Sequence, residues 1–474
     1  MSNQKRIFST VIWSGVEKFA NSGIQLILNL ILANLIIPEE FGLVAMLSIL
    51  ISIGQTFIDS GFSQSLIHKQ NRSREDYSTV FFFNIAISLL FYAFVFLLAP
   101  FISVFYKNPV FTKLTRIVGL NLIISSFSIV QRAILIIRTD FRTQSIISLI
   151  STITGGVFGI ILAYRGYGVW AMVCQSLLFH SISVFLLWLF VKWRPSFLFS
   201  ISSFKELFSY GSKLLGSRLL NTICQNIHTM LIGRFFSQSK VAYFNNANLI
   251  SLYSAGYLNE IITRAMFPFL CEVQDEREKI RSLFVKQIRF SCFVIFPIMA
   301  SIIVLARPFV LVVLNENWIG SITLIQILAF AYMWYPLMSI NQMFNVIGRT
   351  DLNLKCEVFK KIFFVIVVLI TVFMNVEAMC WGIVFYNFIE IIITMFILNK
   401  VFPIKIKELL MNILPSLVIT IVMALIVSLF CTFIDSDFLQ LILGCVLAIL
   451  IYFLINLIIH SEDLFLLLKL IKIK

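Results

Sequence analysis

The 474-residue chain is 59% apolar, 15% aromatic and 13% charged, with a formal net charge of +14, whereas a typical soluble domain is about 25% charged. A soluble globule is therefore excluded. Forty-nine Phe and the other apolar residues come in continuous runs between charged or Pro/Gly-rich breaks, each about 20 residues long, which is the length of a bilayer-crossing helix. A transmembrane β-barrel would show short alternating segments instead. The expected fold class is an all-α polytopic membrane protein with about 14 transmembrane helices.

In chain order the candidate spans are 10–36, 41–66, 79–106, 113–137, 142–164, 167–191, 206–232, 239–267, 287–312, 321–346, 353–375, 377–399, 408–432 and 437–460. No small-residue cleavage site follows the first apolar stretch, so it is expected to remain as a span and not to act as a removable signal. Sorted over alternate loops, 26 of the 37 Lys and Arg lie on the side of the N-terminus and seven on the other. The positive-inside rule then predicts that both termini are cytoplasmic. The positive charge is accounted for by topology, and nucleic acid is not an expected partner. No outer loop exceeds about a dozen residues, which leaves no place for a large catalytic loop. The eight Cys form no C-x-x-C or Cys/His cluster, and His180 and His228 stand apart from other ligand types; neither a metal nor a cofactor is expected.

The chain also repeats itself. At an offset of 200, Lys18, Asn21 and Gln25 fall on Arg218, Asn221 and Gln225, and the turn Pro38–Gly42 falls on Gln238–Ala242. At an offset of 211, Arg138-Thr139-Asp140 falls on Arg349-Thr350-Asp351, and Trp170 falls on Trp381, expected in a turn. A six-span repeat is even, so both copies enter the membrane in the same sense. Residues 1–200 and 201–405 are expected to form two parallel-related six-helix bundles around a central cavity, with two additional helices and a cytoplasmic tail in 406–474.

Charged groups inside spans need partners or water. Glu17, Lys18, Asp59, Lys213, Arg218, Glu260 and Arg264 are such groups. Lys18, Asn21, Gln25 and Asn29 share one helical face, and so do Arg218, Asn221, Gln225 and Thr229. The two stripes suit a hydrated lumen that hydrogen-bonds sugars or phosphates. Depth along the spans groups Lys18 with Asp59 and Arg218 with Glu260, one internal ion pair in each half. An alternative reading leaves Lys213, Arg218 and Arg264 as a cationic patch for an anionic head group. Glu390 stands single in its span as a candidate coupling carboxylate. Asp140 and Asp351 are expected to N-cap the helices that follow them, and Gly155 with Gly159 forms a GxxxG packing face.

The segments Leu35–Met46 (LIIPEEFGLVAM), Gly166–Ala171 (GYGVWA), Val241–Asn248 (VAYFNNAN) and Gly348–Asp351 resemble the polysaccharide transporter family of the multidrug/oligosaccharidyl-lipid/polysaccharide exporter superfamily. The likeness covers about residues 5–460 and lies nearest the WzxC-like and teichuronic-acid-exporter-like branch. The resemblance implies a flippase for undecaprenyl-pyrophosphate-linked oligosaccharide in the bacterial cytoplasmic membrane, serving surface polysaccharide assembly, and no enzymatic step. The lipid carrier is implied by the resemblance alone. Lumen-facing basic residues of the family correspond best to Lys18, Arg218 and Arg264. Lipid-linked oligosaccharide and membrane lipid are the implied partners, with a coupling ion (a proton or sodium) and the polysaccharide polymerase machinery as further candidates. A cation-coupled multidrug antiporter and a membrane-embedded glycosyltransferase or polymerase are the competing readings. The first would favour acidic, aromatic-lined sites; the second is opposed by the short outer loops.

Overall fold

The computed structural model describes residues 20–59, 61–273, 276–402 and 406–472. Among them every regular element is helical, the arrangement a bilayer demands because each backbone N–H must bond within its own segment. The chain divides into two compact units, Met1–Ala242 and Tyr243–Lys474.

The first unit holds α1 (Ala20–Leu35), α2 (Pro38–Asp59), α3 (Phe62–His68), α4 (Arg74–Phe105), α5 (Val110–Val118), α6 (Leu120–Ser126), α7 (Ile129–Ile137), α8 (Phe141–Tyr164), α9 (Val169–Phe190) and α10 (Ile201–Phe235). Local chemistry sets several starts. Ser73 and Asp76 form a reciprocal capping box at α4, and Asp140 caps α8 by accepting from the Thr143 N–H at 3.1 Å. The core gathers Phe62, Leu66, Phe81, Val130, Ile134 and Leu187, with the Phe62 and Phe83 rings 4.7 Å apart. As expected from their spacing, Gly155 and Gly159 let α8 approach α9: a Cβ at Gly155 would stand 3.1 Å from the Gln175 carbonyl oxygen.

Three turns meet at one end of this unit. The Ser239 hydroxyl donates to Glu39 at 2.6 Å. The Glu40 carboxylate lies against Gly168, whose φ of +51° suits glycine, at the N-terminus of α9, where negative charge is favoured. Gly42 approaches the Gln238 backbone so closely that a Cβ would fall 2.0 Å from its carbonyl oxygen. Because that neighbour is backbone and not a flexible side chain, Gly42→Ala is expected to destabilise the protein by about 1–3 kcal/mol. Thermal unfolding of the purified variant checks this, and an unchanged midpoint would refute the close approach.

The helix α11 (Gln238–Glu272) begins in the first unit and continues into the second. There follow α12 (Arg277–Val304), α13 (Ala306–Phe309), α14 (Ile322–Met333), α15 (Tyr335–Met338), α16 (Gln342–Val346), α17 (Thr350–Thr371), α18 (Val376–Leu398), α19 (Ile406–Cys431), α20 (Asp437–Ile458) and α21 (Glu462–Lys472). The core forms around α12, whose Phe284, Ile288, Cys292, Phe296 and Met299 are all buried. Arg289 of α12 reaches Glu462 at 2.8 Å and Asp463 at 3.1 Å, tying α21 to it.

Among the described residues eight helices are long and apolar enough to cross a membrane, or ten if each of two bent pairs is one span. This is a polytopic membrane protein, although the count of 14 does not follow from those criteria. Helices occupy all fourteen expected positions. However, α10, α11 and α17 do not meet the length-and-hydropathy criteria, and the first is described only from Ala20, as the sixteen-residue helix Ala20–Leu35. The bent pairs are Val110–Ser126 with Ile129–Ile137, at 41°, and Glu316–Met333 with Tyr335–Val346, at 44°. They occupy the fourth and tenth expected positions, which the sequence offset of 211 sets opposite each other. Pro336 accounts for the second bend.

Candidate functional site

Within the first unit α2 and α10 run antiparallel along one seam. Going from the Gly42 end toward Asp59, Met46 meets Gly233, Thr56 meets Thr222 at 3.1 Å, and Asp59 meets Arg218 at 2.5 Å. Ser65 in α3 continues the line by donating to the Leu207 carbonyl at 3.0 Å. The ion pairing therefore differs from the expected one. Asp59 pairs with Arg218, and Glu260 pairs with Arg264 at 2.5 Å, one turn away on α11. The reason is packing: α10 lies on α2, so Asp59 and Arg218 meet across that seam. Glu17 and Lys18 lie outside the described residues, and so does the Lys213 side chain.

The polar stripes divide in the same way. The Asn21 amide donates to Ser148 at 2.5 Å and accepts from Thr152 at 2.6 Å, so it locks α1 onto α8. Gln25, Asn221 and Gln225 are exposed, and Arg218 is half-exposed. Their exposed neighbours Ile27, Leu220 and Ile223 are apolar. Amides at membrane depth that no protein group covers are favourable only beside water.

The second unit contains a cavity of about 420 Å³. One wall is the polar face of α11, where Tyr253, Tyr257 and Glu260 recur at i, i+4 and i+7 beside Asn259. The break around Pro336 supplies the other wall, turning Tyr335 and Asn341 inward, and Glu390 of α18 closes it. Contrary to the sequence reading, Glu390 is not alone. The Lys360 ammonium, 1% exposed, lies 2.9 Å from Glu390 and also pairs with Glu357.

Two smaller expectations change. Asp351 does not cap α17; the helix starts one residue earlier, at Thr350, and Asp351 instead grips Arg349 through two 2.9 Å bonds. That guanidinium holds the Asp351 carboxyl down at about 2. Trp381 lies within α18 and not in a turn.

Comparison with known proteins decides the family. Residues 31–323 match the family described as "Polysaccharide biosynthesis protein". The chain belongs to this family. Among curated relatives, the teichuronic acid biosynthesis protein TuaB of Bacillus subtilis is 26% identical over 351 residues, covering 73% of each chain. The lipopolysaccharide biosynthesis protein WzxC of Escherichia coli is 24% identical over 368 residues, covering 77% of this chain and 75% of its own. Among solved structures, the lipid II flippase MurJ in an inward closed conformation superposes with a TM-score of 0.77 at 15% identity, covering 96% of this chain and all of that one. That likeness is one of fold.

In this polysaccharide biosynthesis protein the residues missed from sequence are Lys360 and the cavity-lining Tyr253, Tyr257, Asn259, Tyr335 and Asn341. In sequence Lys360 belongs with the basic loop at 349–361, because only burial separates it from Lys355 and Lys361. The tyrosines are legible as an i, i+4 face in the polar eighth segment, but nothing local marks Tyr335 or Asn341, which the bend at Pro336 delivers.

Proposed function

We propose that this protein translocates an undecaprenyl-pyrophosphate-linked oligosaccharide across the bacterial cytoplasmic membrane by alternating access, for surface polysaccharide assembly, without making or breaking a bond. The observation that carries this reading is a set of exposed amides, Gln25 on α1 and Asn221 and Gln225 on the α10 face that also carries Arg218. In a chain of this hydropathy it calls for a wet passage, and its donors and acceptors match hydroxyls and phosphate oxygens. The named relatives act in polysaccharide biosynthesis and the shared fold occurs in a lipid II flippase, which supports the same assignment. In this proposal both termini are cytoplasmic, residues 1–200 rock against 201–405, and the helices in 406–474 are an addition to the two bundles. These amides and the basic groups Lys18, Lys213, Arg218 and Arg264 face the head group. A proton or sodium gradient drives the cycle, and the polymerase machinery receives the product.

Leaflet-specific labelling of lipid-linked sugar in depleted cells tests the proposal. Sugar trapped in the cytoplasmic leaflet, and released by the wild-type protein, is the expected result. Normal outer-leaflet sugar in cells shown to lack a redundant flippase would reject it in favour of small-molecule export.

A further inference from the structure

We propose that the cavity inside the second unit is a subsite for a neutral, hydroxyl-rich sugar ring of the transported head group, a reading that rests on the flippase assignment above. Its size of about 420 Å³ falls in the roughly 300–1,000 Å³ range of small-molecule sites. Three lining tyrosines, Tyr253, Tyr257 and Tyr335, present flat apolar faces with hydroxyl edges, and the Tyr253 and Tyr257 rings stand 4.8 Å apart. A pyranose offers the complementary surface, with apolar C–H faces and a rim of hydroxyls. Asn259 is among the lining residues and is 5% exposed, and its side-chain oxygen has no hydrogen-bond partner within the protein. A buried acceptor left in that condition is costly, and a sugar hydroxyl would satisfy it.

Charge decides between ligand classes. The two lining carboxylates are each matched from within the chain, Glu260 by Arg264 at 2.5 Å and Glu390 by Lys360 at 2.9 Å. A phosphate would meet two carboxylates, and a free cation would have to compete with a tethered ammonium and a guanidinium. A neutral ring meets neither obstacle and can bond the polar groups of the wall without displacing either ion pair. The pyrophosphate is thereby assigned elsewhere, and the cavity reads the glycan.

The test uses the full-length protein in phospholipid nanodiscs free of glycoside detergent, with cellobiose, dodecyl cellobioside, glucuronate and choline as probes in saturation-transfer NMR and thermal-shift assays. Cellobiose is expected to bind, glucuronate and choline are not, and the alkyl form is expected to bind more tightly. Asn259→Ala and Tyr257→Ala should weaken cellobiose binding about tenfold, the effect of removing a buried hydrogen-bond partner of the sugar, whereas Arg349→Ala, at an exposed ion pair that does not line the cavity, should leave it unchanged. Where an alanine variant fails to fold, Tyr257→Phe and Tyr335→Phe take its place, since each removes only a hydroxyl. Sugar binding that survives every cavity variant, no binding to the wild type, or preference for glucuronate or choline would overturn the subsite. Equal affinity for the free and alkyl forms would overturn its assignment to the head group. Failure of the flippase reading appears separately, as normal leaflet distribution in depleted cells.

Discussion

Replacing Lys360 by methionine is expected to destabilise the protein by about 3–5 kcal/mol, the cost of stranding one member of a buried ion pair. The ammonium is 1% exposed and its partner Glu390 is 9% exposed, so removing the ammonium leaves the carboxylate without the group that neutralises it. Glu357, the second partner, has a side chain 40% exposed and tolerates the change, which places most of the cost on Glu390. A double variant, Lys360→Met with Glu390→Leu, is expected to recover most of the stability, because apolar groups of similar volume often replace a buried pair at little cost. Thermal unfolding of the purified proteins measures both. A single variant as stable as the wild type would show that Glu390 does not depend on Lys360. This pair also bears on coupling, since a cation needed at Glu390 would find an ammonium already there.

The second large effect is expected at Arg218. Arg218→Ala should lower export of lipid-linked glycan at least tenfold at normal abundance, in line with the loss of about 1.5–3 kcal/mol of hydrogen bonding to a charged group. Its effect on stability should be much smaller, about 1 kcal/mol, because the side chains of Arg218 and Asp59 are 35% and 31% exposed and solvent screens the pair. Asp59→Ala should carry the same stability cost, and the double variant should be no less stable than the worse single one, since both remove one interaction. Export is where the two part: Asp59→Ala frees the guanidinium and should retain more transport. Equal export defects would reduce Arg218 to a packing partner, and full export by Arg218→Ala at wild-type abundance would remove it from the cargo path.

The sequence by itself determined the class of molecule, the helix positions and which amides share a helical face. A bilayer permits little besides helices of a set length, and a 3.6-residue period places Asn221 and Gln225 on one face whatever they touch. It also located the two glycines of the α8–α9 contact and the Asp140 cap, because those signals act within a turn or two of chain. What only the tertiary structure decided is partnership. Depth along the spans favours Lys18 with Asp59 and Arg218 with Glu260, yet α10 packs on α2 and gives Asp59 to Arg218, leaving Glu260 to Arg264 on its own helix. Asn21 and Gln25 share a stripe, but α8 covers the first and leaves the second open. Lys360 is one of several loop cations in sequence, and α18 buries it against Glu390; the bend at Pro336 brings Tyr335 and Asn341 to a cavity no periodicity foretells. Periodicity tells which residues share a face; which neighbour that face meets depends on contacts between segments far apart in sequence, and the energy of a buried charge depends on that neighbour.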